Sequence, residues 1–169
     1  DSADTLVIGK GSALGTTTSM SFDENGIVTK PLQPAFFVQS STASNLSTNA
    51  SYTVAFGTEV FDQNGDFSSN TFTAPVTGKY QLNFSARIDN IDDATQYTNV
   101  VMVTSNREIS MIHGNSGYDA DVNYMGMMVS ALVDMDANDT ATMRIDIPSL
   151  GTAQADLTDV CRFSGYLVC

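Results

Sequence analysis

The chain has 169 residues, of which 42% are hydrophobic and 15% are charged, a composition that argues for a folded domain and against intrinsic disorder. Seven Lys and Arg residues stand against nineteen Asp and Glu residues, for a net charge of -12. Because such a surface repels phosphate backbones, we expect no nucleic-acid partner. The apolar runs are all much shorter than the roughly 18 residues that span a bilayer, so we also expect no membrane insertion.

Residues 1–33 are rich in Gly, Ser and Thr, and their apolar side chains are too few for an independent core. Two short extended pieces are predicted there, Thr5 to Ile8 and Ser19 to Phe22, followed by a turn at Asp23 to Gly26. We therefore expect residues 1–33 to form an extended stem or linker and residues 34–169 to form a globular head.

From Pro34 onward, apolar and polar residues alternate with the period of a half-buried β-strand. The clearest case runs from Lys79 to Ile88, where an apolar residue occupies every second position. Further strands are predicted at 35–39, 52–61, 70–74, 98–104, 107–113, 124–135, 140–147 and 161–168. No stretch has the apolar spacing and the caps of a helix, so the sequence predicts an all-β sandwich or barrel.

Two of these segments are apolar on both faces, Tyr124 to Val133 and Cys161 to Cys169. One face of each is expected to fill the core and the other to pack against a neighbouring subunit, which favours a homo-oligomer. The alternative is burial of both faces inside a larger monomeric core. The predicted interface and core residues are Tyr124, Met125, Met127, Met128, Phe163, Tyr166 and Val168.

The segment Phe72 to Phe84 places an aromatic residue, a proline, a turn glycine and alternating aromatics in order, and it resembles the central motif of complement C1q-like heads. Weaker matches follow the order of the family at Phe36, at Val54 with Phe56, at Asn138-Asp139 and at Phe163 to Leu167. The resemblance covers Pro34 to Cys169. It implies a ten-stranded antiparallel jelly-roll sandwich of the C1q/TNF-like type that assembles as a homotrimer, with both termini at its base and loops at its far end.

The chain departs from this family in two respects, because Asn138 stands where a glycine is usual and the N-terminal segment has no Gly-X-Y repeat. Residues 8–17 and 20–31 are instead similar to the stems that precede the heads of bacteriophage fibres and other virion appendages. The two resemblances together imply a non-enzymatic, trimeric protein of the virion surface, outside the cell. Its stem would join other virion proteins, and its apical loops would recognise a host surface glycan or protein.

Two alternatives to this function stay open. One is a purely structural role as a capsid decoration or fibre-capping protein, and the other is a secreted C1q/TNF-like ligand. No catalytic residue is predicted for any of them, because the single histidine, His113, lies in a turn-like segment and no nucleophile motif is present. Cys161 and Cys169 are expected to be buried free thiols, with a bridge between subunits or a folded-back C-terminus as alternatives.

Calcium is a secondary hypothesis and the sole cofactor that the sequence suggests. Asp62, Asn64 and Asp66 offer oxygens at alternate positions, as at the start of a calcium loop, but Thr73 occupies the position of the last acidic ligand. A hairpin turn is therefore favoured there. Asp89, Asp92 and Asp93 form a second acidic loop, and the resemblance to C1q-like heads implies calcium near the apex of a trimer.

Overall fold

The computed structural model describes residues 6–9, 17–47, 49–148 and 154–169, and these form strands, turns and connecting segments. None of the described segments is a helix long and apolar enough to cross a membrane. The sixteen strands of the described residues are β1 (Leu6–Gly9), β2 (Thr18–Phe22), β3 (Val28–Thr29), β4 (Ala35–Ser40), β5 (Ala43–Ser47), β6 (Ser51–Thr53), β7 (Phe56–Asp62), β8 (Phe67–Ser68), β9 (Thr71–Thr73), β10 (Gly78–Ile91), β11 (Tyr97–Thr104), β12 (Glu108–Gly114), β13 (Val122–Met135), β14 (Thr140–Asp146), β15 (Gln154–Leu157) and β16 (Arg162–Leu167).

The strands form three antiparallel sheets, a small N-terminal sheet in the order β1-β2-β3 and two large ones. In the first large sheet, named the front sheet, β10 pairs with β13 on one side and with β16 and then β15 on the other. Beyond β16 follow β4 and β7, and beyond β15 follows β5. The second large sheet, named the back sheet, has the order β12-β11-β14-β9-β8, with β6 also paired to β14.

The core lies between the front and back sheets and is filled by the alternating apolar residues of their strands. On β10, for example, Tyr80, Leu82 and Phe84 are fully buried, as the alternation predicts. The Phe36 ring stacks on Phe72 with their centroids 4.7 Å apart and meets Phe163 edge to face at 4.9 Å. Such offset and perpendicular contacts are the favoured geometries of aromatic pairs, so this cluster ties the two sheets together.

The all-β prediction is confirmed, but the described residues from Ala35 onward form thirteen strands, whereas ten were expected. The strand predicted at 52–61 is split, because Ser51–Thr53 pairs with β14 of the back sheet and Phe56–Asp62 pairs with β4 of the front sheet. The chain therefore crosses between sheets at Val54 and Ala55. The short strands β5 and β15 were not predicted, since their sequences are polar and lack an alternation long enough to detect.

The two extended pieces predicted near the N-terminus are present as β1 and β2, although Thr5 lies outside the described residues. The predicted turn follows β2. One Asp23 carboxylate oxygen accepts hydrogen bonds from the backbone N–H groups of Asn25 and Ile27, at 2.9 and 2.8 Å, and Gly26 has a φ of 77°. Residues 1–5 and 10–16 of the expected stem also lie outside the described part of the chain.

Candidate self-association surface and acidic sites

Strand β13 separates its apolar residues onto two faces. Met125 and Met127 point into the core and are buried. Phe163 on β16 is also buried in the core. The alternate positions point away from the back sheet, and the side chains of Tyr124, Met128 and Leu132 are 69%, 61% and 57% exposed. We name these three residues the β13 strip, and it forms an apolar band along one edge of the front sheet.

A second apolar band lies on the same face and extends to β7, which is four strands from β13. Phe37 on β4 and Phe61 on β7 are register partners with ring centroids 6.1 Å apart, and Tyr166 lies on β16 between β4 and β10. Phe61 and Tyr166 are 50% and 49% exposed. We name Phe37, Phe61 and Tyr166 the aromatic strip. Val168, just beyond β16, is also exposed and lies two residues after Tyr166 of this strip.

Polar side chains of β10 occupy the stripe between these two bands, and Ser130, which lies on β13 between Met128 and Leu132, binds them. Gln81 Nε2 donates to Ser130 Oγ at 3.0 Å and to Asn83 Oδ1 at 3.1 Å, and the Ser130 hydroxyl donates to Asn83 Oδ1 at 2.7 Å. We name these three residues the amide cluster. Asn83 is the register partner of Ser130 on one side and of Ser164 on the other. These three residues therefore form a polar row across three neighbouring strands of the front sheet.

At the far end of the same face, Arg87 binds Asp89. Arg87 Nε donates to Asp89 Oδ1 at 2.8 Å and Nη2 donates to Oδ2 at 2.7 Å, a two-pronged ion pair. The hydrogen bonds that Arg87 donates to the Asp89 carboxylate raise the pKa of Arg87 above its usual value. The Asp89 carboxylate, one of the residues suggested for calcium, is thus engaged by an internal cation.

The first acidic segment forms the turn between β7 and β8. Asp62 accepts hydrogen bonds from the backbone N–H groups of Asp66 and Phe67 at 3.0 and 2.7 Å, and Asn64 donates to the Leu32 carbonyl at 3.0 Å. Burial, reinforced by the negative charge of Asp62, raises the pKa of the Asp66 carboxyl. The Asp62 and Asn64 side chains thus stabilise the turn by binding backbone groups.

The second acidic segment lies at the other end of the head, after β10. Asp92 accepts a hydrogen bond from the Gln154 backbone N–H at 2.9 Å, and the Asp93 backbone N–H donates to the Asp121 carboxylate at 3.0 Å. The structure therefore does not bring the two predicted acidic segments together. Across the described ranges, no group of three or more His, Cys, Asp and Glu side chains is arranged to hold a metal ion.

The loops at this end are joined by a buried asparagine that sequence reasoning missed. Asn115, between β12 and β13, donates from Nδ2 to the hydroxyls of Thr95 and Thr98 at 2.8 and 3.0 Å. All three residues are buried. Nothing in the local pattern marks Asn115 as different from a surface turn residue.

Phe37 and Phe61 were also missed, although each follows another apolar residue and so marks a strand with apolar side chains on both faces.

The single histidine and the two cysteines lie in different environments. His113 shares a hydrogen bond with the Tyr118 hydroxyl at 2.9 Å, on the exposed surface. Cys161 is a buried free thiol whose pKa is raised by burial. Cys169 is also free but exposed, so the expectation of two buried thiols is wrong for this residue, which lies beyond the end of β16.

Solved structures with similar folds include proteins of two animal species. The globular domain of the zebrafish complement 1qA protein is 17% identical, covers 81% of this chain and 98% of its own, and gives a TM-score of 0.58. Murine APRIL at pH 8.0 is 12% identical, covers 80% of this chain and 99% of its own, and gives a TM-score of 0.56. Its structure at pH 5.0 is 14% identical, with the same coverage and TM-score. At these identities the likeness concerns the fold alone.

No protein of curated function matches the sequence. The sequence does match the family described as the C1q domain, over residues 35–168. This range contains both large sheets and the aromatic core between them. The chain therefore belongs to the C1q domain family.

Proposed function

We propose that the chain is the head of a non-enzymatic, homotrimeric binding protein that assembles through the outward face of its front sheet. C1q/TNF-like domains are typically non-enzymatic binding domains, and their self-association supports the trimer. The observation that carries the proposal is the pair of apolar bands, the β13 strip and the aromatic strip, on one face of one sheet. Exposed apolar bands bordered by polar side chains are typical of a surface that binds protein.

The two bands suit a closed ring of three subunits. In a ring, each subunit uses one surface to contact the next subunit and a different surface to contact the previous one. The β13 strip of one subunit would cover the aromatic strip of its neighbour, and methionine and aromatic side chains make favourable contacts with each other. Tyr124, Met128, Tyr166 and Val168 of the predicted interface would lie in this contact, while Met125, Met127 and Phe163 would support it from the core.

We further propose that the head belongs to a virion surface protein, outside the cell, with residues 1–33 as its stem to other virion proteins. C1q/TNF-like domains are typically extracellular. The Gly-, Ser- and Thr-rich composition of residues 1–33, with no Gly-X-Y repeat, supports a fibre-type stem. The N-terminal sheet exposes Leu6, Ile8 and Ile27, and a sheet of three short strands with exposed apolar residues benefits from contact with neighbouring chains.

The apical loops after β10 and β12 are the proposed contact with a host surface glycan or protein. They are held together by Asn115 and project Asp92, Asp93 and Asp121. Loops on a rigid scaffold are the usual site of recognition, and three heads would raise a weak affinity through multivalency. The test is binding of the purified protein to host cells or to isolated envelope polysaccharide, with a variant of residues 116–121 as control.

The alternatives predict different results in this experiment. A capsid-decorating or fibre-capping protein would bind virions tightly and host cells not at all. A secreted ligand would be encoded with a signal peptide and, in the C1q type, a collagen stalk; the likeness to the zebrafish and murine folds is compatible with this alternative. Saturable binding to host cells, lost in the loop variant, supports recognition over a capsid-decorating or fibre-capping role.

A further inference from the structure

The amide cluster retains unused hydrogen-bonding groups. Asn83 Oδ1 already accepts two hydrogen bonds, and Gln81 Nε2 already donates. Within the part of the chain that the structure describes, no partner is found for the Gln81 Oε1 acceptor or for the Asn83 Nδ2 donor. Each copy of the chain therefore offers one free side-chain acceptor and one free side-chain amino group a few ångströms apart.

The position of the cluster follows from the order of the strands. Gln81 on β10 lies between Leu132 of the β13 strip and Tyr166 of the aromatic strip, as direct register partners. In a ring of three subunits the two apolar bands contact two different neighbours. The stripe that lies between the bands then faces the three-fold axis, so β10 turns its polar side chains toward the other two copies of itself.

We propose that the amide cluster lies on the axis of the trimer and closes a ring of hydrogen bonds between subunits, in which Asn83 Nδ2 of each subunit donates to Gln81 Oε1 of the next. This inference rests on the proposed trimer. A free donor and a free acceptor on the same strand are self-complementary under a rotation by one third of a turn. The ring would fix the register of the three heads, because a slipped assembly leaves buried amides without partners.

The location on the axis can be tested by crosslinking. A residue on the three-fold axis lies close to the same residue of the other two subunits. A residue in the contact between the β13 strip and the aromatic strip lies far from the same residue of the other subunits. In a Cys169→Ser background, Asn83→Cys is expected to yield a disulfide-linked dimer under mild oxidation, with the third subunit left uncrosslinked. The matched control is Gln39→Cys, on the same face but two strands away, at roughly 10 Å from β10. Its copies lie beyond the ~7 Å Cα separation that a disulfide spans, so it is expected to stay uncrosslinked.

A charge variant tests the ring itself. Asn83→Asp would bring three carboxylates together on the axis, and we expect the dissociation constant of the trimer to rise at least tenfold at neutral pH. Thr142→Asp, on the outward face of β14 in the back sheet, is the control and should leave the assembly unchanged. Circular dichroism would verify that each variant keeps its β-structure.

The outcomes separate this inference from the proposed function. A monomeric wild-type protein would overturn the trimer and the axial ring together. A trimeric wild-type protein in which Asn83→Cys does not crosslink, or in which Asn83→Asp assembles as tightly as Thr142→Asp, would overturn the axial ring alone.

Discussion

The Arg87 guanidinium lies over the Tyr124 ring, 4.6 Å from its centre, while it binds the Asp89 carboxylate through two hydrogen bonds. Arg87 thereby connects an exposed aromatic residue of the β13 strip to a carboxylate that is almost completely buried. Guanidinium groups are well suited to this double role, because they stack on rings and bind carboxylates in a fixed plane. The end of the proposed interface is thus held in place before any subunit binds.

The first prediction concerns this pair. Arg87→Ala is expected to lower the melting temperature, because it leaves the buried Asp89 carboxylate without its cation. Asp89→Asn in the Arg87→Ala background should recover part of the loss, since a neutral amide needs no counter-ion. Thermal unfolding of the two single variants and the double variant measures this, and strictly additive losses would contradict the coupling.

The second prediction concerns Gly165 on β16. A Cβ added there would lie 2.4 Å from Leu82 Cδ2 and 2.8 Å from Phe36 Cε1, inside the aromatic core. We expect Gly165→Ala to lower the free energy of unfolding by about 1 to 3 kcal/mol, as overpacking of a dense core does. Gly114→Ala, at the end of β12 in the back sheet, is the control, because a Cβ at Gly114 meets nothing within 4 Å. Urea denaturation should show no loss for the control, and equal stability of the two variants would refute the packing argument.

The third prediction concerns the departure from the family at Asn138. This residue has a φ of 75°, in the left-handed region, and its N–H donates to the Ala74 carbonyl at 2.8 Å. Asparagine tolerates this backbone better than other residues with a Cβ, which explains how it stands in for the usual glycine. Asn138→Ala is expected to cost about 1 kcal/mol of unfolding free energy, while Asn138→Gly should match or exceed the wild type. The reverse order in guanidinium denaturation would contradict this account.

The fourth prediction uses the raised pKa of Asp66, caused first by burial and then by the charge of Asp62. One Asp66 carboxylate oxygen is buried and has no hydrogen-bond partner among the described residues. A raised pKa favours the protonated form in the folded state. Its contribution to stability is therefore complete below the ordinary pKa and is lost as the pH rises through the raised value.

Asp66→Asn should consequently gain stability relative to the wild type as the pH rises toward 7, because the amide needs no proton to stay neutral. The difference should shrink toward pH 3, where both side chains are neutral. Unfolding curves in urea at pH 3, 5 and 7 give the comparison. A difference between the variant and the wild type that stays the same from pH 3 to pH 7 would show that the burial of Asp66 carries no penalty.

Much of the head could be predicted from its sequence because alternation reports burial directly. From Lys79 to Ile88 on β10 the buried positions are those that the alternation marked, whereas Asp89, which follows, is buried against it. On β13 the apolar residues of both faces separate into core and exposed side chains as expected. Strands β5 and β15 escaped prediction, since they pair with each other across more than 100 residues of sequence, as Ala155 does with Leu46.

The candidate site was only partly predictable for a related reason. Phe37 and Phe61 form a band with Tyr166 only after β4, β7 and β16 pair in a particular register. A pattern within one strand cannot reveal that alignment. The link from Asn115 to Thr95 and Thr98 likewise joins two loops that are separate in the sequence.

The molar mass in solution tests the central claim most directly. Light scattering coupled to gel filtration is predicted to give three times the 18.0 kDa of one chain for the wild type. Met128→Lys, which charges the middle of the β13 strip, should shift the protein toward one chain, and Thr142→Lys on the back sheet should not. A folded wild-type protein with the mass of a single chain, its β13 strip and aromatic strip both in contact with water, would contradict the account.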